Sequence, residues 1–346
     1  MDIQSSIKKD NKLNLWDKLL IISIITAPMT SLRIWKIGIA ELSIFIWSIR
    51  VLLKSRFRIK IDVYIRFFLL FDMCLFLGFV NRVLKNVYTG SALDESLTFL
   101  FFNLYVISLS QFLQNTTRKK ILKLYKSIFV WGFIIYFGLY LYSIIFSKNL
   151  LGYPLWYSNI RLSLLSNNPH QFVFFIGPTA LLGLFLIDAK YMISKKIEFI
   201  FMLIAIIGYF VMGYLTKSST LYITLILIFI YIVLFRTIHR VNTRKKVLIL
   251  GMKILLLMIG FVICFNYILN LFIMFVESDS NGLGRFQLWL LGINQIIKNP
   301  FFGLGPGPHL FNFDYFIFME AHNTYIDIAL RAGLIGLTLY LVMLYK

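Results

Sequence analysis

Long apolar runs separated by short basic stretches constrain this chain more than any other feature. Stretches such as 198–215 approach the roughly 20 residues that a helix needs to cross a bilayer. Hydrophobic residues make up 59% of the sequence and charged residues only 14%, with a mean hydropathy of +0.80. A soluble domain carries about 25% charged residues. The sequence therefore predicts an all-α, polytopic membrane protein.

About ten spans can be drawn on this criterion. They predict a single transmembrane helix bundle over residues 1–346, with its largest connection, 271–323, between the last two spans. Ala27 is followed by Pro28 and offers no convincing cleavage site, so the first run is expected to be a retained span rather than a signal peptide. The predicted spans are 19–33, 37–53, 63–83, 96–113, 127–146, 170–188, 198–215, 218–236, 247–270 and 324–345.

The distribution of charge predicts the orientation of these spans. The net charge of +20 could indicate a nucleic-acid partner, but the basic residues alternate with the spans and cluster on one side. By the positive-inside rule, that side and the N-terminus are cytoplasmic. The connections 147–169 and 271–323 then lie on the outer face. No ATP is present there, so an activated donor such as a lipid-linked diphosphate must bring its own energy. The richest cytoplasmic connections contain Lys54, Arg56, Arg58, Lys60 and Arg66; Arg118, Lys119, Lys120, Lys123 and Lys126; Lys190, Lys195 and Lys196; and Arg236, Arg240, Arg244, Lys245 and Lys246.

Neither a cofactor nor a metal is expected. Cys74 and Cys264 both fall inside predicted spans, where small apolar packing explains them. A hard cation would need converging carboxylates. The acidic residues of the outer loop show no such spacing; they are Glu277, Asp279, Asp314 and Glu320.

The outer loop is predicted to contain an amphipathic helix. Apolar residues recur at intervals of three to four positions and form one face, which is expected to lie against the bilayer surface or the bundle. Asn299-Pro300 would end this helix, and the glycines that follow would form a turn. The apolar residues are Phe286, Trp289, Leu290, Ile293 and Ile297.

Two residues of the outer loop are candidates for chemistry. Arg285 could bind phosphate oxygens through its planar guanidinium, or it could simply face solvent or lipid headgroups. His322 could remove a proton from an acceptor hydroxyl, or it could be a polar residue at the entry of the last helix. His309, His170 and His239 are weaker candidates of the same kind.

Two more cations stand in predicted outer connections. Arg161 could be a phosphate ligand, and nothing in its neighbourhood assigns it a structural role. Asn168-Pro169 is a typical helix start. Lys217 lies in a tight turn, where it could contact a second phosphate or extend to lipid headgroups.

Charged residues inside spans allow a transport reading. Glu41, Asp72 and Lys253 are costly at membrane depth and could form a substrate or proton path, or could pair with one another or face a cavity. Asp327 and Arg331, four residues apart on one helix, are expected to pair.

The ordered motifs resemble the superfamily of O-antigen ligases and Wzy-type O-antigen polymerases. They comprise Gly-Arg-x3-Trp from Gly284, Asn-Pro-x2-Gly-x-Gly-x-Gly from Asn299, His-Asn-x-Tyr from His322 and Gly-x-x-Gly from Gly333. The segment from Arg161 to Pro169 is similar to the arginine-to-Asn-Pro segment of that family. The likeness covers most of the chain, and its specific motifs lie in 161–171 and 284–336.

The resemblance implies a metal-independent glycosyltransferase of the bacterial inner membrane that uses undecaprenyl-diphosphate-linked glycans as donor and acceptor. His322 would be the base, and Arg285 would act with it in catalysis by stabilising the leaving diphosphate. Arg161 and Lys217 would bind the diphosphate, and Asn323 and Tyr325 would contact substrate. A flippase and a chain-length regulator would be partners in making O-antigen or capsule.

The chain departs from the family pattern in several places. Lys217-Ser218-Ser219 stands where Ser-Arg is frequent, His170 where asparagine is common, and Arg331 where an acidic residue is common. Relatives also continue beyond the His-Asn helix. If 322–332 is a surface helix, residues 333–346 span only about 21 Å, less than the roughly 30 Å hydrocarbon core. This pattern indicates a truncated member.

The sequence leaves several functions open. The first is a Wzy-type polymerase of lipid-linked repeat units, and the second is a ligase that transfers glycan to lipid A core. A flippase or other transporter belongs to a different class and would depend on Glu41 and Asp72 rather than His322. An inactive remnant of the family is the last alternative.

Overall fold

A computed structural model gives the fold of the chain. It describes residues 13–34, 37–86, 92–188, 196–218, 221, 285–307, 310–312, 317–319, 321 and 323–345. The predicted spans 218–236 and 247–270 lie outside these residues, apart from 218 and 221. Helices dominate the described part, which confirms a helical membrane protein.

The described helices, in chain order, are α1 (Leu15–Thr26), α2 (Ile39–Lys54), α3 (Val63–Leu84), α4 (Ala92–Gln114), α5 (Arg118–Ile145), α6 (Pro169–Asp188), α7 (Lys196–Leu215), α8 (Arg285–Lys298) and α9 (Thr324–Tyr345). Short antiparallel hairpins join some of them: β1 (Arg33–Ile34) with β2 (Ile37–Gly38), β3 (Asn149–Leu150) with β4 (Tyr153–Pro154), β5 (Trp156–Tyr157) with β6 (Arg161–Leu162), and β7 (Leu310–Asn312) with β8 (Ile317–Met319).

Polar residues just before the helices set where several of them begin. The side chain of Asn14 accepts from the backbone N–H of Asp17, whose carboxylate accepts in turn from Asn14 N–H. Asp62 caps α3 by accepting from Ile65 N–H at 2.8 Å. Such caps satisfy N–H groups that have no partner within the helix.

Five described helices have the length and composition to cross a membrane: α3, α5, α6, α7 and α9, of which α9 is interrupted at Gly333. The first predicted span, 19–33, is wrong. Its helix begins at Leu15 and ends at Thr26, because Pro28 has no N–H to donate to the helix and its ring crowds the carbonyl four residues earlier. Helix α2 has 16 residues, fewer than a span needs. About ten spans are therefore not supported.

The described residues form two compact units. The first comprises Met1–Phe57 and Gln111–Ile254, and the second comprises Arg58–Ser110 and Leu255–Lys346. The single membrane domain over 1–346 stays a prediction.

In the first unit, α1, α5, α6 and α7 enclose an aromatic core. The two most buried tyrosines keep a hydrogen bond inside it. Tyr136 donates to the carbonyl of Ile25 at 2.6 Å, and Tyr209 donates to that of Phe129 at 3.0 Å. Because a buried hydroxyl without a partner is costly, these bonds fix how the helices pack.

In the second unit, α3 and α9 pack closely, and α8 packs on α9. The predicted amphipathic helix is confirmed as α8, and it ends at Asn299-Pro300 as expected. Its predicted apolar face, however, is largely exposed at Leu290, Ile293 and Ile297. Leu288 is instead buried against α9. The apolar face was predicted to lie against either the bilayer surface or the helix bundle, and its exposure favours the bilayer surface.

Helix α9 is not one continuous rod. Gly333 has φ 69° and ψ −175°, a conformation that is essentially restricted to glycine. The ring centroids of Tyr325 and Tyr340 lie 6.4 Å apart, whereas a straight helix would separate these positions by about 22 Å. The predicted continuous span 324–345 is therefore wrong, and a separate helix ahead of residue 333 is confirmed. We call 324–332 the first arm and 334–345 the second arm.

Candidate functional site

The predicted site residues divide between the two units. Arg161 and Lys217 belong to the first unit, and Arg285, Asn323 and Tyr325 belong to the second. His322, the predicted base, lies outside the described residues.

Arg161 lies on β6, and its side chain reaches the end of α7. Its Nε donates to the carbonyl of Thr216 at 2.9 Å, and its Nη2 lies 3.4 Å from the carbonyl of Lys217. The last carbonyls of a helix lack partners within the helix, so a guanidinium there is stabilising. Within the part of the chain that the structure describes, Nη1 makes no hydrogen bond, which leaves that side of the fork for a phosphate oxygen.

Lys217 follows Thr216 directly and is brought beside Arg161. Its backbone is in the left-handed region at φ 51°, and its side chain is exposed. The structure therefore brings the Arg161 guanidinium to the backbone of a lysine that is 56 positions away in the chain. A guanidinium with a second basic residue at one end of a helical unit is suited to a doubly charged anion.

His170, which the sequence offered only as a weaker candidate for a base, also lies beside Arg161. Its Nε2 lies 3.5 Å from Nη2 of Arg161, and its Nδ1 lies 2.5 Å from Oγ of Ser218. A neutral ring that carries its proton on Nδ1 satisfies both contacts, because it donates to Ser218 and accepts from Arg161. Only the tertiary fold reveals this contact.

The segment that carries Arg161 has an unusual backbone. Ser158, Asn159, Leu164 and Leu165 all have positive φ, and both leucines are buried. Leucine rarely adopts this conformation, and such strain persists only where the surroundings enforce it. The buried leucines thus hold the loop in one conformation and present Arg161 from a rigid base.

Polar contacts between the end of the first predicted span and the start of the sixth support the same end of the unit. Thr30 donates to Gln171 at 2.8 Å, and Ser31 donates to Asn167 at 2.8 Å. Asn168 caps α6 by accepting from the N–H of His170 at 2.9 Å, which confirms its predicted role. The Asn-Asn-Pro segment is thereby tied to the end of α1.

In the second unit, Arg285 is the first residue of α8. A cation at the positive end of a helix gains nothing from the helix dipole. Helix stability therefore does not explain an arginine at this position. Its role as a diphosphate ligand stays a prediction.

The residues on either side of His322 are held to neighbouring elements. The indole N–H of Trp289 on α8 donates to the carbonyl of Ala321 at 2.9 Å, and the N–H of Ala321 donates to Asp327 at 3.1 Å. Asn323 accepts from the N–H of Tyr325 at 3.0 Å and so caps α9. The predicted substrate contacts of Asn323 and Tyr325 are untested; the ring of Tyr325 is exposed.

The glycine-rich turn 299–307 packs against the first arm of α9. Two of its N–H groups bind that arm: Leu304 donates to Leu330 and Gly305 donates to Arg331, each at 2.8 Å. A Cβ on Gly303 would lie 2.4 Å from the carbonyl of Leu330. The glycines thus allow the turn to press against the first arm of α9.

One face of α3 binds this turn through side chains that were not among the predicted site residues. Asn81 donates to the carbonyl of Gly303 at 2.8 Å, and Arg82 donates to that of Leu304 at 2.8 Å. Gly78 lies on the same face, where a Cβ would meet the backbone of the turn. The spacing of residues 78, 81 and 82 on one helical face was the available signal.

One expectation about charged residues needs correction. Arg331 pairs with Glu95, not with Asp327, whose carboxylate accepts from the N–H of Ala321 instead. Glu41 is exposed in the first turn of α2 and accepts from the N–H of Gly38 at 3.0 Å.

The remaining intramembrane candidates are limited. Asp72 is half-buried in α3 and hydrogen-bonds with Asn103. Lys253 lies outside the described residues. Among the described residues, no group of three or more side chains could hold a metal ion. Metal independence stays a prediction.

Comparison with protein families identifies one match. Residues 200–341 match the family model described as O-antigen ligase. The match includes Lys217, Arg285 and the first arm of α9, and it begins after Arg161. Curated proteins and solved structures gave no match. The predicted resemblance is thus confirmed over residues 200–341, the part of this helical membrane protein that is similar to the O-antigen ligase family.

Proposed function

We propose that this protein is a glycosyltransferase that polymerises undecaprenyl-diphosphate-linked repeat units of a surface polysaccharide on the outer face of the inner membrane. The family match supports a role in polysaccharide synthesis. The observation that carries the proposal is the meeting of Arg161 and Lys217 beside His170 at one end of the first unit. Two cations there are suited to the diphosphate of a lipid-linked donor.

In the proposed reaction, a hydroxyl of the acceptor glycan attacks the anomeric carbon of the donor sugar. The new carbon–oxygen bond forms as the bond from that carbon to the lipid diphosphate breaks. His322 takes the hydroxyl proton, and the diphosphate leaves with the electron pair. The basic residues proposed to bind the diphosphate stabilise the charge that grows on it, which is preorganised electrostatic stabilisation. The reaction needs no metal.

The proposed orientation places the N-terminus in the cytoplasm. Within the first unit, two predicted outer connections lie together, since Arg161 contacts Thr216, and the outer ends of the first and sixth predicted spans meet, since Thr30 contacts Gln171. In the second unit, Arg82 at the end of α3 contacts the turn at Leu304. This grouping supports the assignment, because alternate connections must share a side of the membrane.

A strain that lacks the protein tests the proposal. We expect surface glycan with a single repeat, and we expect wild-type protein to restore the full ladder. His322→Ala and Arg285→Ala should each fail to restore it while inserting in normal amounts. Normal ladders from both variants would contradict the catalytic roles.

The same strain separates the alternatives. Long polymer left on the carrier lipid would favour a ligase that transfers glycan to lipid A core. Repeat units trapped on the cytoplasmic side would favour a flippase. The transport reading is weakened because Glu41 has a local capping role.

A further inference from the structure

Glu95 in the first turns of α4 contacts two parts of the second unit. Its Oε2 accepts from the N–H of Gly307 at 2.8 Å, and it forms an ion pair with Arg331. The carboxylate therefore joins the end of the glycine-rich turn to the first arm of α9. The Glu95 side chain is 30% exposed and that of Arg331 18% exposed, so the pair is partly shielded from water.

The same carboxylate balances two positive charges. Arg82 is fully buried and interacts electrostatically with both Glu95 and Arg331. Like charges that are shielded from water repel each other more strongly than they do in solvent. Loss of the carboxylate charge would therefore favour separation of the two guanidinium groups.

The backbone of Arg331 is held by the same turn. Its carbonyl accepts from the N–H of Gly305 at 2.8 Å, while its side chain reaches Glu95, which binds Gly307. These bonds form a closed ring between the turn and the first arm. That arm begins at Thr324, directly after His322-Asn323.

We propose that Glu95 is a positioning residue for the transfer reaction. Acting through Arg331 and the N–H of Gly307, it holds the first arm in register with the turn and so fixes the start of the arm, where the predicted base stands. This inference rests on the proposed function. It requires no contact between Glu95 and substrate.

The test compares Glu95→Gln, Arg331→Gln and the double variant in detergent. The probe is the lipid-linked glycan extracted from the strain that lacks the protein. Glutamine keeps an acceptor for Gly307 but removes the charge. We expect kcat about tenfold lower and KM within about twofold of wild type, because misplacement lowers the chemical rate rather than binding. The double variant should be no slower than the slower single variant.

Glu198→Gln is the matched control, since it removes a carboxylate that lies 3.9 Å from Lys126 on the surface of the first unit. It should retain wild-type kcat. A Glu95→Gln enzyme with wild-type kcat would overturn the inference. It would also be overturned if the reduction in kcat of the double variant equalled the product of the reductions in the two single variants.

Hydrogen exchange gives a readout that does not depend on activity. The amides of 303–307 and 324–332 should exchange faster in Glu95→Gln than in wild type, and those of α7 should not change. Unchanged exchange in the turn and the first arm would refute positioning by Glu95. If the wild-type protein showed no transfer activity, the proposed function would be contradicted, whereas the exchange measurements would still test the positioning of the first arm by Glu95.

Discussion

At the scale of single residues, the proposed function gives Arg161 two tasks that one side chain can combine. Its Nε and Nη2 contact the carbonyls that follow α7, and its remaining nitrogen is proposed to bind phosphate. Lysine presents a point charge and cannot do both. We expect Arg161→Lys to lower polymer formation about tenfold or more, as for loss of one preorganised donor. The glycan ladder of the complemented strain measures this.

Arg118→Ala serves as the control for that substitution. Arg118 is exposed at the start of α5, among the predicted cytoplasmic charges. This variant should support a normal ladder. An Arg161→Lys strain with wild-type ladder intensity would show that the fork geometry is not needed.

A second residue-scale prediction concerns two ion pairs of the first unit. Asp17 and Lys120 lie 2.9 Å apart, and their side chains are 3% and 6% exposed. Asp17→Asn removes the carboxylate that pairs with the buried Lys120 ammonium, so the free energy of unfolding should fall by about 3–5 kcal/mol. Glu198→Gln disrupts a pair whose side chains are both 36% exposed, and it should cost at most about 1 kcal/mol. Thermal unfolding in detergent compares them; equal losses would contradict the argument.

At the scale of elements, the break in α9 depends on one glycine. A Cβ on Gly333 would lie 2.0 Å from the carbonyl of Phe301, and its φ is positive. We expect Gly333→Ala to destabilise the protein by about 3 kcal/mol or more, from strain and the clash together. Thermal unfolding and the amount of inserted protein measure the loss.

Gly138→Ala is the matched control at this scale. Gly138 lies within α5, and a Cβ there meets nothing within 4 Å. Alanine is favoured over glycine in a helix by about 1 kcal/mol, so this variant should be neutral or more stable. A Gly333→Ala protein as stable as Gly138→Ala would contradict the hairpin in α9.

At the scale of the whole molecule, the orientation can be tested by labelling. Leu151, on the predicted outer side, is 91% exposed, and Phe57, on the predicted cytoplasmic side, is also exposed. In a background with Cys74→Ala and Cys264→Ala, an impermeant maleimide should label Leu151→Cys in intact cells. It should label Phe57→Cys only after permeabilisation. The reverse pattern would invert the proposed topology.

Much of the architecture follows from local patterns. Apolar runs of sufficient length predict helices α3, α5, α6 and α7, because a helix satisfies its backbone within lipid. The cap at Asn168 and the stop at Asn299-Pro300 depend on neighbours a few residues away. Two predicted spans were wrong for local reasons: Pro28 ends the first helix early, and Gly333 divides the last helix into two arms.

By itself, the sequence determined the class of the protein and the family resemblance of residues 200–341, because hydropathy and ordered motifs are properties of the chain. Only the tertiary structure decided which distant residues meet. It joined Arg161 to Lys217 and His170, and it paired Arg331 with Glu95 rather than with Asp327. These contacts depend on how helices pack and how buried charges find partners, and no local pattern encodes that.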